Sequence, residues 1–252
     1  MPDLKSDREI ELMREAGRIV AEVLNLMGEH IAPGVTTGDL DELAEAHIRK
    51  RGALPAFKGY KMAGRIYPAS ICASIDEVVV HGIPSDRRLM EGQIIAIDVG
   101  TELDGYCGDG ARTYPVGAIS QQKQKLMDVT RAALEAGIDQ ARAGNRLGDI
   151  SAAVQQTVER NGFSVVRDLV GHGIGRRMHE DPQVHNFGQP GTGPFLQPGL
   201  VLAIEPMVNA GDYRIVFKSD GWTAMTADGS PSAHFEHTVA ITDDGPEILT
   251  VV

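Results

Sequence analysis

Steps of three and four separate Ile10, Met13, Gly17, Val20, Leu24, Met27 and Ile31. With 3.6 residues per turn, that spacing returns every one of these positions to the same face of a helix. Ser6 and Glu9 stand ahead of the stripe at capping-box spacing, so the pattern predicts a long amphipathic helix starting near residue 6 and lying on an apolar layer. A second helix is predicted from about Gly38 to Arg51, bounded by the Pro33-Gly34 break and by Gly52, and a third from about Ser120 to Ala143.

The pattern then repeats. "GNRLGDISAAVQQTVERNG" from Gly144 aligns without a gap, at an offset of 110, to "GVTTGDLDELAEAHIRKRG" from Gly34. Gly34/Gly144, Gly38/Gly148, Asp39/Asp149 and Gly52/Gly162 are identical. Further along each half, "EGQIIAID" (Glu91 to Asp98) matches "PGLVLAIE" (Pro198 to Glu205): a glycine, an aliphatic strand and then a carboxylate. The chain therefore reads as a single domain over 1–252 made of two related helix-helix-strand halves, about 1–115 and 116–252. Their equivalent strands deliver Asp98 and Glu205 to a common centre.

Around Asp98 two strand-like runs flank Thr-Glu-Leu-Asp-Gly, a hairpin signal. A four-residue loop centred between Leu103 and Asp104 places Asp98 directly opposite Asp109, where like charges destabilise the strand pair. Glu205 and Glu236 are likewise symmetric about the turn dipeptide Asp220-Gly221. Arg112 could neutralise Asp109, and Arg214 or Lys218 the second pair, but these cations do not sit at matching points of the two hairpins. A metal is the more economical counter-charge. Carboxylates with one imidazole suit Mn, Fe, Co or Zn better than the all-oxygen sites of Ca or Mg, and four carboxylates can bridge two ions.

Imidazoles are available. His172 follows the strand-like "SVVRDLV" and is read at a strand end inside the glycine-rich loop "GHGIGRRMHE", where backbone approaches closely. The glycine spacing misses G-x-G-x-x-G, which argues against nucleotide binding. His81 ends "EVVVHGIP" and shares "HGI" with His172, and either histidine alone fits a structural or a functional role. His237 alternates away from Glu236 and is read as structural, while His30, His47, His185 and His234 lack a motif and default to solvated or capping roles.

Bulk properties narrow the partners. A net charge of -11 without a Lys/Arg-rich run argues against nucleic acid. No apolar stretch approaches the roughly 20 residues of a membrane span. The start "MPDLKSDREIELM" lacks a signal-peptide core, and Cys72 and Cys107 make no disulfide framework, so a cytoplasmic setting is expected.

Taken together, Asp98, an Asp eleven residues on, "GHGIGRRMHE", "AIEPM" and "FEHT" resemble the methionine aminopeptidases, type I in its short bacterial form. "SICASIDEVVVHGIP", "IDVGTELDGYCGD", "PGLVLAIEPMVNAG" and "DGWTAMTADGSPSAHFEHTVAIT" extend the likeness over almost the whole chain. The resemblance implies an α+β pita-bread fold, a curved antiparallel sheet with pseudo-twofold halves and helices on its outer face. It makes Asp98, Asp109, His172, Glu205 and Glu236 ligands of two divalent ions (Co, Mn, Fe or Zn), with Asp109 and Glu236 bridging. His81 and His179 become substrate contacts and catalytic donors beside Glu205, and Tyr67, Cys72 and Trp222 line a methionine pocket. The implied substrate is the N-terminus of a nascent polypeptide, at the ribosome, with a small second residue, and the implied state is a monomer.

Three departures stand out against the family pattern: about four extra residues between Tyr60 and Tyr67, Met178 where an aromatic residue is common, and Asp76 in place of Asn. A proline-directed peptidase such as aminopeptidase P or prolidase would share the ligand set but usually carries another N-terminal domain. A non-catalytic pita-bread module would lack the ligands.

Overall fold

The computed structural model describes residues 3–62 and 64–252. The first half holds α1 (Asp7–His30), α2 (Thr37–Lys50), β1 (Leu54–Pro55), β2 (Lys61–Met62), β3 (Arg65–Ile66), β4 (Ile71–Ile75), β5 (Val78–Val80), β6 (Ile94–Leu103) and β7 (Tyr106–Pro115). The second holds α3 (Gln121–Gln140), α4 (Leu147–Arg160), β8 (Ser164–Val165), β9 (Gly171–Gly173), β10 (Glu180–Val184), β11 (Val201–Ile204), β12 (Met207–Asn209), β13 (Ile215–Phe217), β14 (Ala224–Thr226), β15 (Ser232–His234), β16 (Glu236–Thr242) and β17 (Gly245–Ile248).

The helices begin where their caps dictate. Glu9 accepts the Ser6 backbone N–H at 2.9 Å, and Asp39 and Asp149 do the same for Thr36 (3.0 Å) and Arg146 (2.7 Å). The repeat is reproduced bond for bond: Gly34 N–H donates to Leu89 and Gly144 N–H to Leu196, while Gly38 donates to Ser85 and Gly148 to Thr192. Matching bridges join Thr36 to Arg88 and Arg146 to Phe195. The identical residues thus fix how each second helix starts and stops. Gly52 and Gly162, at φ 79° and 81°, close them in the left-handed region that glycine adopts without strain.

A nine-stranded antiparallel sheet runs β1-β6-β7-β16-β11-β9-β10, with β17 on β16 and β4 on β6. Alternation divides its side chains. Ile95, Ile97 and Val99 of β6 pack under α1 and α2, and Leu202, Ile204, Val239 and Ile241 pack under α3 and α4. Asp98, on the same strand as those isoleucines, therefore points to the opposite face.

The first hairpin is tighter than its sequence suggests. Asp104 and Gly105 (φ 52° and 79°) form a two-residue turn in which both residues have positive φ, Leu103 pairs with Tyr106, and Asp98 faces Ala111 rather than Asp109. Asp109 faces Gly100. A two-residue shift preserves side-chain parity, so both carboxylates still share a face. In the second half the register about Asp220-Gly221 holds unbroken through β11–β16, β12–β15 and β13–β14.

Candidate metal centre

Each prospective ligand reaches the centre from a different strand. Asp98 lies on β6 and Asp109 on β7, Glu236 opens β16 facing Ala111, and Glu205 follows β11 directly. His172 is not on a loop at a strand end, as its sequence suggests, but inside β9, paired with Ala203 on one side and Gln183 on the other. Its glycine neighbours have a packing cause. A Cβ on Gly171 would lie 2.4 Å from the Ala203 oxygen, and one on Gly173 would lie 2.2 Å from that of Asp181, so only glycine lets three strands close around the imidazole.

The four carboxyls are crowded and lack cationic side-chain partners. Asp109, His172 and Glu236 each offer a ligand atom within 4.8 Å of the others. Asp98 Oδ1, Asp109 Oδ1 and Glu236 Oε1 are buried without a hydrogen-bond partner. Burial, then mutual repulsion, drives Asp109 and Glu236 well above the carboxylate range; burial also lifts Asp98 to about 7 and Glu205 to about 8. The candidate counter-charges lie elsewhere: Arg112 donates to Asn25, and Arg214 forms its ion pair with Asp212. Among the described residues, no lysine or arginine pairs with the four.

His172 completes the set as a neutral ligand. Its Nδ1–H donates to the Gly173 carbonyl at 2.9 Å, which leaves a lone pair on Nε2, 3.7 Å from both Asp109 and Glu205. Burial and the nearby His179 hold it down at about 3. Unpaired carboxylate oxygens facing an imidazole lone pair repel one another unless a proton or a metal cation lies between them. The donor chemistry, four carboxylates and one neutral nitrogen, fits divalent Mn, Fe, Co or Zn.

Beside the carboxyls opens a cavity of about 90 Å³ whose lining includes Tyr67, Cys72, His81, His179 and Trp222. Cys72 is there because β4 pairs it with Asp98. Burial pushes its thiol up, so it stays protonated and serves as an apolar wall. Trp222 meets Tyr67 edge-on at 5.2 Å, presented by a turn in which Asp220 accepts from the N–H of Trp222 and of Thr223. His81 follows β5 at φ 59°, and burial holds it at about 4. His179 Nδ1 lies 2.7 Å from the Tyr60 hydroxyl, and its ring sits tilted by 50° against that of His172 with centroids 4.3 Å apart.

Four residues reach the site without a sequence signal that singled them out. Phe57, Tyr60 and Met62 line the cavity, Met62 from β2, which pairs with β3. His234 is buried, not solvated as its lack of a motif implied, and its Nε2 lies 3.5 Å from Glu205. Its position two residues before Glu236, at the same parity of the run "SAHFEHTVAIT", is the signal that could have found it. The other departures lie off the cavity lining. Met178 is buried over Gly100 beside Phe57, and Asp76 binds Lys123 at 2.6 Å and accepts the Ile94 N–H. His237 is structural, bonded to Thr250.

No helix among the described residues is long and apolar enough to cross a membrane. Residues 11–243 match the model of metallopeptidase family M24. A curated relative, the methionine aminopeptidase of Clostridium perfringens, is 55% identical over 249 residues, covering 99% of this chain and 98% of that protein. The crystal structure of methionine aminopeptidase from Rickettsia prowazekii superposes at TM-score 0.97 with 44% identity over the full length of both chains. A prolidase from Pyrococcus furiosus shares the fold alone, at 22% identity and TM-score 0.78, this chain covering 65% of it. The architecture is the pita-bread fold, and the chain belongs to metallopeptidase family M24, among its methionine aminopeptidases, which are hydrolases.

Proposed function

We propose that this chain releases methionine from the N-terminus of newly made polypeptides whose second residue is small, as a cytoplasmic monomer acting at or near the ribosome. The observation that carries the reading is the juxtaposition of the buried cluster Asp109, His172 and Glu236, whose ligand atoms lie within 4.8 Å of one another, with a cavity of side-chain size that Asp98 and Glu205 also line. Asp98, Asp109, His172, Glu205 and Glu236 would hold two divalent ions, with Asp109 and Glu236 shared between them. Such a pair supplies a water of lowered pKa and polarises the scissile carbonyl.

The chain's own groups do the rest. Glu205 takes the proton of the attacking water and passes it to the leaving nitrogen. Tyr60 Oη lies 2.7 Å from His179 Nδ1; with the hydroxyl donating, the imidazole proton sits on Nε2. From there His179 donates to the carbonyl oxygen as it gains charge, and His81 holds the peptide nitrogen on the far side of the bond. Tyr67, Cys72 and Trp222 receive the methionine side chain, joined by Phe57, Tyr60 and Met62.

The test offers Met-Ala-Ser, Leu-Ala-Ser and Ala-Pro-Ala to protein loaded in turn with Co, Mn, Fe and Zn. Methionine release from the first peptide is expected. Preferential release of alanine from Ala-Pro-Ala would replace the methionine assignment with a proline-directed one. Lack of hydrolysis with every metal would favour a peptide-binding module.

A further inference from the structure

We propose that His234 is a positioning residue that holds one oxygen of Glu205 and leaves the other free for the metal ligands and the substrate. The inference rests on the role of Glu205 proposed above. Two imidazoles flank this carboxylate: His172 Nε2 lies 3.7 Å from Oε1, and His234 Nε2 lies 3.5 Å from Oε2. The first is a lone pair, because its Nδ1 donates to a carbonyl. The second is a buried atom with no hydrogen-bond partner, on a side chain that is 2% exposed. A buried ring nitrogen left unpaired is costly; a carboxylate oxygen, Glu205 Oε2, lies 3.5 Å from it, and Asp98 also acts on the ring's charge.

The ring is held firmly enough to do this work. Thr113 of β7 donates its hydroxyl to the His234 carbonyl at 2.8 Å and accepts the His234 N–H at 3.0 Å. Thr238 of β16 clasps Asp109 in the same two-bond manner, at 2.7 and 3.1 Å. A ligand donated by the first half is thus pinned by the second, and His234 of the second half is pinned by the first. Backbone anchored at both polar groups fixes the origin of the side chain, the condition for a site held to a fraction of an ångström. With its proton on Nε2, His234 donates to Glu205 Oε2. Glu205 then presents Oε1 alone toward His172 and the metal site.

Outer partners of this kind are worth about 10- to 100-fold in metal affinity or activity. His234→Leu removes the donor and keeps the bulk; His234→Gln keeps an N–H donor without the ring. Mn2+ would be titrated calorimetrically into metal-free wild type and both variants, alongside hydrolysis of Met-Ala-Ser and thermal melts of the metal-free proteins. The expected result is two equivalents bound by wild type, and a 10- to 100-fold loss in Mn2+ affinity and kcat in His234→Leu with KM unchanged. His234→Gln should restore both, and the three metal-free proteins should melt together. Wild-type behaviour of His234→Leu, or equal impairment of the two variants, would overturn the inference. So would a loss that follows a drop in metal-free melting temperature, since that marks a packing role. Failure of wild type to bind Mn2+ would instead overturn the metal reading itself, and this inference with it.

Discussion

The first half of the chain closes its central hairpin with two residues, Asp104 and Gly105, whereas the second inserts two further strand pairs, β12–β15 and β13–β14, before it returns. Both halves share the helix caps, the backbone bonds around Gly34 and Gly144, and the strand that ends in a carboxylate. They differ in what lies between the carboxylate strands. The compact half contributes two aspartates, offset by two residues across β6 and β7. The extended half contributes two glutamates, then adds Trp222 at the tip of its excursion and His234 on the way back. Symmetry thus supplies the four carboxylates in equal shares, while the second half alone adds His172 and, through its excursion, Trp222 and His234.

If the shares are equal, removing either bridging candidate should be equally severe. Asp109→Asn and Glu236→Gln are each expected to abolish hydrolysis of Met-Ala-Ser, and retention of turnover in one of them would break the equivalence. The excursion should matter for substrate and not for metal. Trp222→Ala is expected to raise KM for Met-Ala-Ser, leave metal content unchanged in elemental analysis, and cost about 3–5 kcal/mol of stability in denaturant unfolding. The shared caps are packed unequally. A Cβ on Gly148 would lie 2.4 Å from Thr192 Oγ1 and 2.5 Å from the Gln189 oxygen, whereas on Gly38 its nearest contact is 3.3 Å, to Ser85. Gly148→Ala should therefore destabilise by about 1–3 kcal/mol. Gly38→Ala should be near neutral, because the gain in helix propensity offsets the tighter contact.

The smallest effect concerns the cap of α1, whose Glu9 has no acidic counterpart in α3, where Ser120 is followed by Lys123. Hydrogen bonds from the Ser6 backbone, Tyr106 and the Ser6 hydroxyl hold Glu9 down at about 2. A depressed folded pKa stabilises above the unfolded value, and that contribution is lost as pH falls through the folded one. Glu9→Gln should accordingly lower the melting temperature at pH 7 by about 2–4 °C, for a cap worth roughly 1 kcal/mol. The gap should narrow between about pH 4.5 and pH 2; a gap that stays constant would mean that the charge is not what the cap uses.

Local signals were legible and distant ones were not. The start of α1 followed from Ser6 and Glu9, three residues apart, while the start of α2 was read from the Pro33-Gly34 break and lies one residue earlier than Gly38, capped by Thr36. The turn at Asp220-Gly221 set its register correctly because no net bulge intervenes. Asp98 and Asp109 were misregistered by two residues because the Asp-Gly dipeptide alone makes the turn, and their shared face survived because parity did. The strand around His172 was hidden because its glycines answer to Ala203 and Asp181 across the sheet. Asp76 was ambiguous for the same reason, its partner Lys123 being 47 residues away. His234 went unnoticed because its burial depends on Thr113, on the other half of the molecule.

The central claim is a division of labour between two histidines seven residues apart, His172 holding metal and His179 meeting substrate. Elemental analysis of His172→Ala and His179→Ala, each purified with metal and paired with its turnover of Met-Ala-Ser, tests it most directly. His179→Ala should keep both equivalents while turnover falls by about 10²- to 10³-fold, and His172→Ala should lose one equivalent. Equal metal loss in the two variants would contradict the account.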